Sequence, residues 1–241
     1  TDRSRGLGDV YKRQPFTEEL LLVDFDETTQ TFTSPSQVQP EKSQIEDIYD
    51  SLHYGLKHFM DMIGVHKVVI GVSGGIDSAV NAALYATVLP PEDILLVNMP
   101  SCYNSDTTKS LAKELADNIG CLYTVIPVQD SLELTRKQFR ETVLHQGEKE
   151  KGSLALTGFI EENIQARDRS SRILAAAAAS FGGVFTCNAN KAETSVGYAT
   201  LYGDSAGYLA ATADLWKHQV YELAHYLNDK VFGRQVVPQG S

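Results

Sequence analysis

The sequence predicts an α/β fold in which a parallel sheet carries helices on both faces, and two patterns lead to that reading. The first is alternation: from residue 67 onward, short runs rich in Val, Ile and Leu take turns with longer segments of helical periodicity. The second is the stretch "VVIGVSGGIDSAVNAALYA" (residues 68–86), where a β-type apolar run breaks at Ser-Gly-Gly and a good helix begins. In sheets of this kind ligands gather at the carboxyl ends of the strands, so the break falls where a site belongs.

The elements follow in chain order. Residues 1–14, "TDRSRGLGDVYKRQ", are basic but lead into no apolar core, so they are not a signal peptide and read as a non-native tail. Residues 19–25, "ELLLVDF", read as a strand. The polar stretch after it carries two prolines with many Ser, Thr and Gln, which places a domain boundary between about residues 28 and 44. Ile45, Ile48, Leu52, Leu56, Phe59 and Ile63 recur at helical spacing. Strands are then expected at 67–72, 93–99, 121–128 and 183–188. Helices are expected at 77–89, at 107–120 with an end at Gly120, at about 130–145, and over a long region at 158–181. "GEKEKGS" (147–153) reads as a polar loop, and the Ala run at 175–179 as a tightly packed helix face. A glycine-rich loop and an amphipathic helix, "LWKHQVYELAHYLN", complete the chain.

Composition excludes several functions. With 241 residues, 42% of them hydrophobic, the chain can bury a sizeable core. Its 31 acidic residues against 21 basic ones give a net charge of −10, which is poor material for a nucleic-acid surface. No run of about 18 apolar residues occurs, so no membrane span is expected. Cys102, Cys121 and Cys187 are sparse and lack metal or disulfide spacing, which reads as a reducing, cytoplasmic setting.

Ser73-Gly74-Gly75 can turn sharply and point successive amides into one concavity, an anion nest. The helix that follows adds unpaired amides and the positive end of its dipole. Ser73 and Ser78 can add hydroxyl donors, so the place suits a phosphate or pyrophosphate. Asp77 would repel such a ligand unless a cation bridged them, which implies magnesium. By residue type alone, the string equally suits an ordinary turn and helix cap. It is not a Walker A motif, since no Gly-Lys-Ser/Thr is present.

"SGGIDS" after a strand resembles the loop of the pyrophosphatase-loop ATP enzymes, whose fold is Rossmann-like (adenine nucleotide alpha hydrolase-like). Together with "GFIEENIQARDRSSRIL" (158–174) and "NANKAETSVGYATLYGDSAGYLAATADLWKHQVYELAHYL" (188–227), the chain is similar to the synthetase domain of the NAD synthetases, in particular the glutamine-dependent, two-domain kind. The resemblance covers roughly residues 45–235. It implies that ATP adenylates the nicotinate carboxylate of deamido-NAD, releasing pyrophosphate, and that ammonia then displaces AMP to give NAD. Another adenylating enzyme of the same superfamily, or a nucleotide-binding fragment without activity, is the alternative reading.

By that resemblance, Asp77 and Glu193 bind Mg2+, and Lys217 approaches the ATP phosphates together with Ser73, Gly74, Gly75 and Ser78. Phe159, Asn163 and Arg167, spaced by four on one helical face, match the deamido-NAD contacts. Asp204 matches a residue near the nicotinate and the incoming ammonia, and Gly197, Gly203 and Gly207 would let its loop order as a lid. Thr200 and Asn188 are lesser contacts. Read without the family, Glu193 is a first-turn helix carboxylate, Lys217 a solvated lysine, and "FIEENIQAR" an exposed helix. Position 192 is Ala where the family pattern calls for Ser, and Cys102 and Asn104 depart from it within "SCYNSDTT". The resemblance further implies that residues 15–43 are the remnant of a preceding glutaminase (amidase) domain with its linker, and that 44–241 are a synthetase domain cut short at its C-terminus. Ammonia rather than glutamine is then the nitrogen donor for this chain, and a homodimer is expected.

Overall fold

The computed structural model describes Phe16, residues 24–33 and 42–101, and residues 106–241, with 32–33 and 106–109 described by their backbone alone. The chain divides into two compact units, Thr1–Gly55 and Leu56–Ser241. In the first, β1 (Asp24–Asp26) pairs antiparallel with β2 (Thr31–Thr33). The residues called a linker therefore include a short strand, which composition hid because its Thr residues are equally common in turns and strands. Most of the strand expected at 19–25 lies outside the described residues.

Helix α1 (Gln44–Ile63) follows the predicted periodicity. The second unit is built on a four-stranded parallel sheet of β3 (Val68–Val72), β4 (Ile94–Asn98), β5 (Leu122–Val125) and β8 (Val184–Phe185), in the order β5-β4-β3-β8. Central β3 and β4 are nearly continuous in apolar residues because a parallel strand under helices is covered on both sides. Edge strand β5 is partly exposed and mixes Tyr and Thr into its run.

Between these strands run α2 (Ile76–Tyr85), α3 (Asp106–Ile119), α4 (Gln129–Glu141), α5 (Gly158–Arg167) and α6 (Ala175–Phe181). The chain goes from β3 to β4 and β5 on one side, then returns to add β8 on the other side of β3. Right-handed crossovers in these opposite directions place α2 and α6 on opposite faces. One face buries Val69, Val97 and Met99 against Ile173, Leu174 and Ala178. Each such side chain, fully buried, contributes about 1.5–3 kcal/mol. The reversal of strand order between β3 and β8 makes the topological switch point at which α/β sheets hold their ligands.

The expected helical region at 158–181 is continuous, but its middle, Asp168–Leu174, winds as a π-helix between α5 and α6. The reading at 130–145 needs correction. Helix α4 stops at Glu141, and β6 (Val143–Gln146) with β7 (Lys149–Ser153) form an antiparallel hairpin where a polar loop was expected. All nine strand residues are exposed, so no alternation of burial marked them, and Glu and Lys are poor strand formers. After β8 come α7 (Lys191–Val196) and α8 (Lys217–Tyr226), the latter continuing as a π-helical turn, Leu227–Val231. Among the described residues no helix is long and apolar enough to cross a membrane.

Gly207 was expected to give a loop freedom, and the structure gives it another task. At φ +149°, its backbone lies against β8's exit so closely that a Cβ would fall 2.3 Å from the amide nitrogen of Cys187. Tyr208, next in line, donates its backbone N–H to Phe185 O (3.0 Å) and bonds through its hydroxyl to that of buried Tyr85 (2.9 Å). Gly207→Ala should therefore cost about 2 kcal/mol or more, combining backbone strain with a contact that only backbone movement relieves. Gly64→Ala, at φ +68° with open space around it, should cost only about 1–2 kcal/mol. Thermal melts of the two variants give the comparison, and equal losses would contradict the close-approach argument.

Candidate active site

At the carboxyl ends of β3 and β8 lies a cavity of about 500 Å³, lined among others by Ser73, Asp77, Ser78, Glu193 and Asp204. Gly74 has φ +87°, which produces the sharp exit from β3. The Gly75 amide donates to Ser73 Oγ (3.2 Å), and Ser78 Oγ donates to the Gly75 carbonyl (2.9 Å) while accepting from Ser73 N (3.3 Å). The hydroxyl of Ser78 is thus spent on holding the loop's shape, a different task from the ligand donor expected of it. Gly75 is the N-cap of α2 and makes no side-chain cap, so the amides of the helix's first turn are free of a side-chain acceptor.

Asp77 stands in that first turn, where the helix dipole favours a carboxylate. Its Oδ2 is ion-paired with Lys217 Nζ. Lys217 occupies the first turn of α8, where the same dipole disfavours a cation, so the pairing with Asp77 offsets a local misplacement. Asp77 Oδ1 accepts from Asn190 Nδ2 at 2.9 Å. Asn190 also caps α7, its Oδ1 accepting from the amides of Ala192 (2.9 Å) and Glu193 (3.1 Å). Glu193 returns Oε2 to the Asn190 amide at 3.3 Å, closing a capping box. Buried Asn81, one turn after Asp77, donates to the Asp77 carbonyl and to Thr212 Oγ1, both at 2.9 Å.

A second group fixes the turn that carries Asp204. Asp204 Oδ1 accepts from the Thr200 amide at 2.7 Å, and Thr200 Oγ1 bonds Asn163 Oδ1 at 3.0 Å. Arg167 Nε donates to Leu201 O (3.2 Å), Ser171 Oγ to Tyr202 O (2.9 Å) and Ser170 Oγ to Gly203 O (2.5 Å). The turn is therefore strapped to α5 and the π-helical segment.

The structure brings Asp77, Lys217, Glu193 and Asp204 to one place. Asn163 Nδ2 donates to Phe159 O at 2.8 Å, as spacing by four requires. Phe159, Asn163 and Arg167 do not line the cavity, however, and Phe159 is 75% exposed. From the same helical path, Ala166, Arg169, Ser170 and Leu174 reach it. Cys187 lies buried beside the site, with its Sγ donating to the Asp204 carbonyl (3.3 Å), and burial pushes its thiol pKa up, so it is no nucleophile near neutral pH. Residues 102–105, Cys102 and Asn104 among them, lie outside the described residues.

Sequence reading missed Asn190 and Arg169. Asn190 had a signal, the Asn-x-x-Glu of a capping box in "NKAE". Arg169 had none, because only the fold brings it to the cavity.

The site's carboxylates suit a hard cation. Asp77 and Glu193 present oxygen donors to a cavity that Ser73 and Ser78 of the loop after β3 also line. Magnesium is commonly held by one or two carboxylates with substrate phosphates supplying other ligands. Among the described residues no group of three His, Cys, Asp or Glu is placed to hold a metal ion.

The NAD synthase family model matches residues 48–239. The chain belongs to the NAD synthase family. It is 35% identical over 222 residues to a glutamine-dependent NAD(+) synthetase of Synechocystis, covering 92% of this chain and 38% of the relative. It is 38% identical over 193 residues to one of Aquifex aeolicus, covering 80% and 32%. The chain thus spans well under half the length of these curated relatives. Among solved structures, the glutamine-dependent NAD+ synthetase of Acinetobacter baumannii in complex with ADP superposes with a TM-score of 0.76 at 28% identity, over 90% of this chain and 39% of that one. The NMN synthetase of Francisella tularensis gives 0.68 at 25% identity, over 83% and 76%.

Two outcomes follow from the geometry. Asn190→Ala removes the α7 cap and one partner of Asp77, and should lower stability by about 1–2 kcal/mol in a denaturant melt. An unchanged midpoint would mean the cap carries no weight. Arg136 forks onto Glu161 through Nε (2.8 Å) and Nη2 (2.7 Å), joining α4 to the first turn of α5. That hydrogen bonding holds the Glu161 carboxyl below its ordinary value. Its stabilising contribution is present above the unfolded-state pKa and is lost as pH falls through the lowered folded one. Arg136→Met should accordingly flatten the acid limb of the stability–pH curve, which melts taken from neutral to acid pH will show.

Proposed function

We propose that this chain carries out the synthetase half of NAD formation: ATP-dependent amidation of deamido-NAD, with free ammonia as the nitrogen donor for the chain by itself. The observation that carries the reading is the Asp77–Lys217–Asn190 cluster at the lip of a Ser-Gly-Gly nest, sharing one cavity with Glu193 and Asp204.

A carboxylate resists ammonia because its leaving group would be oxide. The nicotinate oxygen therefore attacks the α-phosphorus of ATP, and the bond to the β-phosphate breaks. The departing pyrophosphate takes the first-turn amides of α2, and Lys217, held beside that turn by Asp77, adds a positive charge near it. Asp77 and Glu193 would hold magnesium, which when bound would supply Lewis-acid stabilisation of the phosphate charge. Ammonia then attacks the acyl carbon, AMP leaves with the former carboxylate oxygen, and the surplus proton passes to solvent. Asp204, held by the Thr200 amide, is placed to orient the ammonia, and the strapped turn keeps water from the activated acyl group.

In the intact enzyme a glutaminase domain would supply the ammonia. Exposed apolar side chains on this unit, among them Val196, Tyr198 and Leu201, offer surface for pairing with a second copy, and the acidic chain is expected to work in the cytoplasm. The likeness to an NMN synthetase makes nicotinate mononucleotide the competing acceptor.

The test incubates the protein with magnesium-ATP, ammonium and either acceptor, and separates the nucleotides. NAD and AMP in equal amounts from deamido-NAD are expected. NMN formed in preference would transfer the reading to the mononucleotide, and ADP as product would overturn adenylation. Asp77→Asn should lower turnover by about 100-fold or more, the scale on which electrostatic groups at a phosphoryl centre act.

A further inference from the structure

The cavity that holds the nest is lined by three carboxylates, Asp77, Glu193 and Asp204, and among its described lining residues by a single cation, Arg169. Lys217 is already paired with Asp77. A ligand carrying several phosphates therefore meets one side chain in the lining itself whose positive charge is not committed to a carboxylate.

Arg169 is an unusual arginine. It is half-buried, and it forms no ion pair with a carboxylate among the described residues. Its Nε donates to the carbonyl of Met99 at the end of β4 (3.2 Å), and among the described residues this is its one side-chain hydrogen bond. A guanidinium has five N–H donors in a rigid plane. Anchoring one edge to a backbone carbonyl fixes that plane and leaves the other donors without a hydrogen-bond partner among the described residues. Desolvation disfavours its charged form, as its lowered pKa reflects. The neighbouring arginine, Arg172, by contrast, is spent on a salt bridge with Asp168. Arg169 also lines a second cavity of about 370 Å³ with Gly158, Glu161, Glu162 and Gln165. It therefore forms a wall common to the two spaces.

The π-helical winding of Asp168–Leu174 explains how the side chain gets there. Ser170 is tied to the Asp204 turn, Leu174 packs beside β3's Gly71, and Arg169 between them is aimed at the β4 exit. Such π segments are frequent at functional sites because they re-aim side chains without breaking the helix.

We propose that Arg169 is a substrate-binding residue whose anchored guanidinium donates to a nucleotide phosphate in the main cavity. The inference rests on the nucleotide reading given under Proposed function. The recognised chemistry is a phosphate oxygen outside the nest, which the α-phosphate of the adenylate or the diphosphate of the dinucleotide can supply. Bidentate guanidinium–phosphate contact is strong and geometrically selective, and lysine does not reproduce it.

The experiment measures the affinities of AMP, deamido-NAD and inorganic pyrophosphate by calorimetry for the unmodified chain, Arg169→Gln, Arg169→Lys and Arg172→Gln. Glutamine retains a donor for the Met99 carbonyl, and if that variant does not fold, Arg169→Lys carries the test. Loss of the fork should weaken AMP or deamido-NAD by about tenfold to hundredfold, with pyrophosphate, seated in the nest, within about twofold of the unmodified chain. Weakening of AMP assigns the contact to the adenylate phosphate, and weakening of deamido-NAD alone assigns it to the dinucleotide. Arg172→Gln should change none of the three. Unchanged AMP and deamido-NAD affinities in a folded variant would overturn the proposal and leave the nucleotide reading intact. A uniform fall in all three ligands would also overturn it, by showing that Arg169 only holds the fold. If the unmodified chain binds no nucleotide, both readings fail together.

Discussion

Everything at the site depends on how one carboxylate is held. Asp77 stands at the start of α2 with Lys217 on one oxygen and Asn190 on the other. Lys217 opens α8, and Asn190 caps α7 beyond the end of β8. Two segments more than a hundred residues away along the chain are thereby fixed around this single side chain. Each partner answers a need of its own element: a cation misplaced by a helix dipole, and an asparagine committed to a cap. The arrangement is consequently stable as a unit, and its charge is balanced before any ligand arrives.

The parallel sheet makes this convergence possible. Strand order reverses between β3 and β8, so the loops that leave the two strands open toward each other. The β3 exit contributes Asp77 and the first-turn amides of α2, and the β8 exit contributes Asn190 and Glu193. The buried pair Asn81 and Thr212 ties the two sides together beneath the surface, with Thr212 Oγ1 also directed at the Ala189 carbonyl (3.3 Å). Among the described residues Asn81 Oδ1 has no hydrogen-bond partner. A buried acceptor left unmade costs on the order of 1–3 kcal/mol, which the rigidity of the Asp77 turn sets against it.

The third wall is the long helical path from Gly158 to Phe181. Its exposed beginning carries Phe159, and its strapped middle holds the Asp204 turn through Ser170, Ser171 and Arg167. Gly203 and Gly207 serve close packing in this region, since a Cβ on either would strike neighbouring atoms. The loop is thus set by contact.

By resemblance to the NAD synthetases the sequence grouped Asp77, Glu193, Lys217 and Asp204, and by itself it determined the alternation of strands and helices and the sharp Ser-Gly-Gly exit from β3. Those features are local: β-branched runs, helical periodicity, a glycine pair and short spacings carry them. The exposed hairpin of β6 and β7 escaped because solvent on every side leaves no hydrophobic pattern to read. The Asn190 cap was legible in "NKAE", yet its bond to Asp77 was not. Only the tertiary structure decided that Lys217 meets Asp77, that Ser78 turns inward, and that Arg169 rather than Phe159 faces the cavity. Such pairings arise from strand order and from a π-helical shift of register, and neither leaves a trace in residue type at the positions they bring together.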